Sequence, residues 1–99
     1  MELIEIKIKE FLLTERRLTT NELFMLSYID YYVERDGICK CSNYDFANFL
    51  GVSERQAIRY LHHLRDLSYL EIEQKGGNRK IKMGIAYAIK RGTYQKGGN

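Results

Sequence analysis

Arg55, Gln56 and Arg59 carry the groups of this chain best suited to bonding the edges of nucleic-acid bases. A guanidinium can donate twice to guanine, and a carboxamide can bond adenine in the same bidentate way. On a helical wheel of about 100° per residue, Arg55, Arg59, His62 and Asp66 share one face, flanked by Gln56 and His63. Ala57, Leu61 and Leu64 fall opposite, with Ile58 at their flank. A helix of this kind buries one stripe and turns cations and an amide outward. Helices that read duplex DNA contact bases mostly from their first turns. That singles out Ser53, Glu54, Arg55, Gln56 and Arg59, with Tyr60 and His63 at the margins of the same face. Glu54 and Asp66 oppose a phosphate partner, although Glu54 also suits the positive end of its own helix. The plainer alternative is an amphipathic helix with a solvated polar face.

A second basic cluster surrounds Gly76-Gly77: Lys75, Asn78, Arg79, Lys80 and Lys82. Placed along a phosphate backbone, such groups give affinity and register without sequence information. The same charges also protect an exposed strand edge from pairing with other chains. Other chemistry finds little support. His62 and His63 are adjacent, and neither a Ser-His-Asp pattern nor metal-ligand spacing accompanies them. Cys39 and Cys41 lie two apart, which puts both thiols on one side of a strand and makes a disulfide between them strained. A structural zinc site wants about four ligands. Gly76-Gly77 is not followed by the Lys-Ser/Thr of a nucleotide-binding loop. The expectation is therefore no enzyme, no cofactor and no metal.

The elements that must position these residues are legible from caps and periodicity. Thr19-Thr20-Asn21-Glu22 is a capping box, and apolar residues from Leu23 to Val33 extend a helix over about 20–34. Asp36-Gly37 ends it, and Ile38 to Cys41 is short and β-prone. Ser42, with Asp45 three residues on, opens a second helix whose core face is Tyr44, Phe46, Ala47, Phe49 and Leu50. Gly51 suits a left-handed C-cap, and Ser53 is a strong N-cap for a third helix running to about Leu67. Alternation predicts strands over 69–73 and 79–83 around the Gly76-Gly77-Asn78 turn. Residues 85–89 fit either a strand extension or a short helix. Ile4, Ile6 and Ile8 alternate with Glu5, Lys7 and Lys9, so the N-terminus also reads as a strand, and Leu3 to Ile8 offers a pairing edge for a homodimer. Two short helices joined by a glycine-containing turn, followed by a basic hairpin, predict a winged helix-turn-helix. The fold class is α+β, mainly α, with three helices and a small antiparallel sheet. Residues 1–90 form this domain and 91–99 a tail or the start of a linker.

Composition agrees with a nucleic-acid partner only once it is divided. The net charge is +3 over 99 residues. Residues 1–53 hold 6 Lys/Arg and 9 Asp/Glu, whereas residues 54–99 hold 10 and 4, giving −3 and +6. Such asymmetry hints at an anionic partner. There is no proline, so turns must come from Gly, Asn and Asp. No run approaches the roughly 18 apolar residues of a membrane span, and no basic-then-apolar leader opens the chain. A cytoplasmic location without membrane contact is the expectation. Aromatics are numerous, with eight Tyr and four Phe, and most read as core or half-core; Tyr28, Tyr31 and Tyr32, followed by Tyr44, form a cluster that, if exposed, would instead mark a partner surface.

The segments Arg17-Leu18-Thr19-Thr20-Asn21-Glu22, Asp36-Gly37, Cys41-Ser42-Asn43, Phe49-Leu50-Gly51-Val52-Ser53-Glu54-Arg55 and Leu64-x-x-Leu67-x-Tyr69-Leu70 together resemble the N-terminal winged-helix domain of phage and plasmid replication initiators, of the replisome-organiser and DnaD-like kind. The resemblance spans roughly residues 4–84. It implies origin binding, often as an oligomer, with Ser53, Arg55, Gln56 and Arg59 reading DNA and replication proteins as further partners. Initiators of this kind usually add a C-terminal domain for self-assembly or helicase loading; the expectation here is either the DNA-binding part of a longer protein or a domain that acts alone, and the Gly-rich tail suits both. The Gly-Val-Ser-Glu-Arg turn also occurs in many transcriptional regulators, so a small regulator of the same fold is the nearest alternative. A protein-interaction module, such as a phage-encoded inhibitor of a host protein, is the alternative from another class.

Overall fold

Three helices start where a hydroxyl side chain can reach the backbone three residues on. In the computed structural model, which describes residues 5–92, each of these starts is a complete capping box. Thr19 Oγ1 accepts from the Glu22 amide at 3.2 Å, and Glu22 Oε1 accepts from the Thr19 amide at 2.8 Å, opening α1 (Thr20–Asp36). Ser42 and Asp45 do the same for α2 (Asn43–Leu50), and Ser53 and Gln56 for α3 (Glu54–Asp66). Each box satisfies backbone N–H groups that have no partner inside the helix. Gly37 closes α1 and Gly51 closes α2, both in the left-handed region at φ 84° and 69°. That conformation is strained for a residue with a Cβ and natural for glycine. Only Val52 and Ser53 separate Gly51 from α3, so α2 and α3 meet at a tight angle-setting turn.

After α3 the chain turns through Ser68, at φ 64°, into β1 (Leu70–Lys75). Gly76-Gly77 forms a two-residue loop, and β2 (Asn78–Met83) returns antiparallel, with Ile72 opposite Ile81 and Lys75 opposite Asn78. Gly76 takes φ 56° at the first loop position, which the twist of a short hairpin favours. Cys39 forms an isolated antiparallel bridge to Ile81, with paired bonds of 2.8 and 3.0 Å. The connection between α1 and α2 is thereby tied to the sheet. The architecture is α+β and mainly helical, with four α-helices and a two-stranded antiparallel sheet among the described residues.

The fourth helix, α4 (Ile85–Arg91), settles a stretch whose sequence fits two states. Tyr87 is its buried residue, and its ring meets Phe11 edge-on at 5.3 Å. Phe11 belongs to a 3-10 turn, Glu10–Leu12. Helix α4 extends to Arg91, which the sequence reading assigns to the tail, and Arg91 reaches Glu34 of α1 at 3.3 Å. The core runs from Leu12 through Met25, Leu26 and Ile29 of α1 to Phe46, Leu61, Leu64, Tyr69 and Ile81. Burying a side chain of this size contributes roughly 1.5–3 kcal/mol.

The N-terminal strand is a correction. Residues 5–9 pair with no other segment among those described, and the expected Leu3 and Ile4 lie outside the described residues. Alternation alone suits either state, because a strand needs a neighbour that local sequence does not specify. The tail from 93 onward also lies outside the described residues. Among the described residues no helix is long and apolar enough to cross a membrane.

Candidate nucleic-acid interface

The capped turn and the core stripe of α3 fix which way its polar face points. Ala57, Leu61 and Leu64 are buried, whereas Arg55, Arg59, His62 and Asp66 are exposed. One edge of that face abuts α1. There Tyr60 accepts from Asn21 Nδ2 at 3.2 Å, and the His63 ring nitrogen Nδ1 meets Glu22 Oε2. The other edge borders the hairpin. A shallow groove of about 300 Å³ lies between them, lined by His62 and Arg65 of α3, Asn43 at the start of α2, and Ile72, Gln74 and Arg79 of the hairpin. The exposed strip of α3 is thus framed by α1 on one side and the hairpin on the other.

Within the strip, Arg55 and Arg59 stand one helical turn apart with no partner among the described residues. Most other arginines are engaged: Arg17 with Glu15, Arg35 with Asp36, Arg65 with Asp66, Arg79 with Asn43 and Cys41, and Arg91 with Glu34. Among the described residues only Arg16 shares the unpartnered state of Arg55 and Arg59. An unpaired surface guanidinium keeps its full set of donors for an incoming group.

Other residues singled out by type are drawn into the structure of the domain itself. Ser53 and Gln56 hold each other across the helix start: Gln56 N donates to Ser53 Oγ at 3.1 Å, and Ser53 N donates to Gln56 Oε1 at 3.3 Å. Both remain exposed, but the Gln56 carboxamide is part of a cap. Tyr60 and His63 tie α3 to α1. The Glu22 carboxylate serves two masters, the Thr19 amide through one oxygen and His63 through the other. Sequence reasoning registers Glu22 only as a cap, because His63 lies 41 positions away.

The hairpin divides by face. Gln74 and Arg79 are opposite neighbours, as are Ile72 and Ile81, and this side looks toward α3 and the core. Arg79 donates to Asn43 Oδ1 at 2.6 Å and to the Cys41 carbonyl at 2.7 Å, and its guanidinium sits 5.7 Å from the Phe46 ring centre. The group expected to meet phosphate instead pins the hairpin to the start of α2. On the other side, Glu71 stands opposite Lys82 and Glu73 opposite Lys80. Opposite charges at such positions attract across the sheet. Lys75 and Asn78, at the tip, are exposed with no carboxylate directly opposite.

Elsewhere the tyrosine cluster is half-buried. Tyr28 stacks on Phe49 at 4.1 Å, Tyr32 meets both Tyr28 and Tyr31 edge-on, and Arg35 lies over Tyr31 and Tyr32. Tyr44, by contrast, is 65% exposed. Cys39 and Cys41 are free thiols, the first buried. A hydrogen bond from Cys41 draws the Cys39 thiol below its ordinary value. No group of three or more potential metal ligands occurs among the described residues. Compared with protein-family models, curated proteins and solved structures, the chain matches none of them.

Proposed function

We propose that this chain binds double-stranded DNA as a winged helix-turn-helix, with α2 and α3 as the helix pair, α3 as the reading helix and the β1–β2 hairpin as the wing. The element order supports that assignment: a helix, a short bridge to the sheet, two helices around a glycine turn, then a hairpin. The single observation that carries the reading is the pair Arg55 and Arg59, exposed one turn apart on the first half of α3 and without a bonding partner among the described residues. In the major groove the two guanidinium groups bond base edges or adjacent phosphates. Lys75 and Asn78 at the hairpin tip reach the flanking backbone. Lys80 and Lys82, facing glutamates, add little.

The biological setting follows from the sequence resemblance: origin recognition in phage or plasmid replication initiation. Duplex selected from a random pool and bound at two salt concentrations tests the whole reading. Arg55→Ala with Arg59→Ala should lose about 1–3 kcal/mol for each bidentate contact removed, with an unchanged circular-dichroism spectrum. Unaltered binding by that folded variant would remove α3 as the reading helix; failure of the wild type to select any duplex would refute the DNA reading and favour a protein-interaction module. Selected sites that recur in the element's origin support initiation; sites in its own promoter assign the same fold to transcription control.

A further inference from the structure

Cys39 and Cys41 are nucleophilic groups that the DNA reading leaves unused. Both are free thiols, and they are hydrogen-bonded to each other. Their exposure differs. Cys39 is fully buried, whereas Cys41 is half-buried and lines a surface cavity of about 530 Å³ with Tyr28, Tyr32 and Lys40. Cys41 is therefore the sulfur that a small oxidant reaches, and Cys39 is held behind it. The hydrogen bond also sorts their chemistry. It draws the Cys39 thiol below its ordinary value and, together with burial, pushes that of Cys41 above. One reachable sulfur, with a neighbour readier to lose its proton, suits oxidation followed by ring closure.

The segment 39–41 also holds the hairpin. Cys39 N donates to the Ile81 carbonyl at 2.8 Å, and Ile81 N donates to the Cys39 carbonyl at 3.0 Å. The Cys41 carbonyl accepts from Arg79 Nη2 at 2.7 Å. Strand β2 is thus tied to the α1–α2 connection through both cysteine backbones. The sulfurs of a disulfide lie about 2.05 Å apart, well inside any hydrogen-bonding separation, so closing the bond draws the two backbones together. With only Lys40 between them, no loop absorbs that movement. It falls on the bonds to Ile81 and Arg79. Strain of this kind also leaves a disulfide easily reduced again.

We propose that Cys39 and Cys41 form a reversible disulfide whose closure loosens the hairpin from the α1–α2 connection. With a hydroperoxide as oxidant, the O–O bond breaks and the terminal hydroxyl passes to the Cys41 sulfur as a sulfenic acid. The thiol proton leaves with the alcohol or water product. Cys39 then attacks that sulfur: the S–S bond forms, the S–O bond breaks, and the hydroxyl departs as water with the Cys39 proton. The thiol pair loses two electrons and the hydroperoxide gains them. Because Cys41 keeps its proton more tightly, the first step is the slow one.

Hydrogen exchange of the full chain, followed by NMR before and after hydrogen peroxide, tests this together with peptide mass. After a digestion that spares Lys40, the peptide carrying both cysteines should be lighter by two hydrogens. The Cys39 and Ile81 amides should exchange roughly tenfold faster once their bonds are loosened. The Leu61 and Leu64 amides of α3 should keep their rates, and a dithiol reductant should restore both mass and exchange. Cys41→Ser removes only the half-buried thiol and should keep its exchange rates through the same treatment, which separates the effect from methionine oxidation. A pair that stays reduced or only gains oxygen, a disulfide that leaves Ile81 as protected as before, or a Cys41→Ser chain that loosens equally would each overturn the proposal. A weaker wing contact with DNA after oxidation rests on the DNA reading; the exchange measurement contains no DNA, so the two fail separately.

Discussion

The backbone of Ser68 fills the space that a side chain on Gly84 would need. A Cβ built on Gly84 comes within 2.9 Å of the Ser68 carbonyl carbon and closer still to its oxygen. Two bonds lock the approach: Gly84 N donates to the Tyr69 carbonyl at 2.8 Å, and Ala86 N to the Ser68 carbonyl at 2.9 Å. This contact seats α4 against the start of β1 and makes the glycine obligatory.

Gly84→Ala should therefore destabilise the fold by about 1–3 kcal/mol, the usual cost of forcing atoms into filled space. Ser68→Gly should act in the opposite direction. Ser68 holds φ 64° without being glycine, and relief of that strain, less the extra freedom of an unfolded glycine, leaves a gain of up to about 1 kcal/mol. Urea denaturation of the two variants checks both signs.

Acid should weaken the contact between the N-terminal segment and Tyr69, the residue before β1. The buried Glu15 carboxylate accepts from Arg17 at 2.7 and 3.0 Å and from the Tyr69 hydroxyl at 2.5 Å. The Arg17 bonds first, then that of Tyr69, hold its carboxyl well below the ordinary carboxylate range. A folded-state value that is lowered contributes stability above the unfolded value of about 4.3, and that contribution fades as pH falls below it. Glu15→Gln should cost about 1–3 kcal/mol at neutral pH. Its stability curve should converge on that of the wild type in acid; parallel curves from pH 7 to 3 would contradict this.

Asp30 should behave in the reverse sense. It is buried in α1, with Lys9 Nζ at 4.0 Å from one oxygen and no hydrogen bond to the other, Oδ1. Burial is the main cause pushing its carboxyl above the ordinary value. A raised folded-state value contributes stability that is present below the unfolded value, about 3.9, and lost as pH rises through the folded one. Asp30→Asn should accordingly be more stable than the wild type at pH 7, with the advantage shrinking in acid. Thermal melts across that range decide it.

The basic residues of the hairpin should separate into two classes. Arg79→Ala should lower stability by about 1.5–3 kcal/mol, the worth of bonds made by a charged donor, and leave the salt dependence of DNA binding unchanged. Lys75→Ala should leave stability unchanged and reduce the salt slope by about 1. Denaturation and binding titrations on the same two variants check the division.

The sequence by itself determined where α1, α2 and α3 begin, where glycines close α1 and α2, and where the hairpin reverses. Thr19 with Glu22, Ser42 with Asp45, Gly37, Gly51 and Gly76-Gly77 act within a few residues of themselves, so their effect is readable without a fold. The outward face of α3 was equally legible, because Ala57, Leu61 and Leu64 define its inward stripe. Only the tertiary structure decided what the polar residues on that framework do. Arg79 turned inward because Asn43 and the Cys41 carbonyl stand beside it, 36 and 38 positions away. His63 found Glu22, and residues 85–91 became a helix because Tyr87 had Phe11 to pack against. Residues 5–9 form no strand because no neighbour pairs with them among the described residues. Hydrogen bonding and packing act over a few ångströms, and only folding brings distant positions within that range.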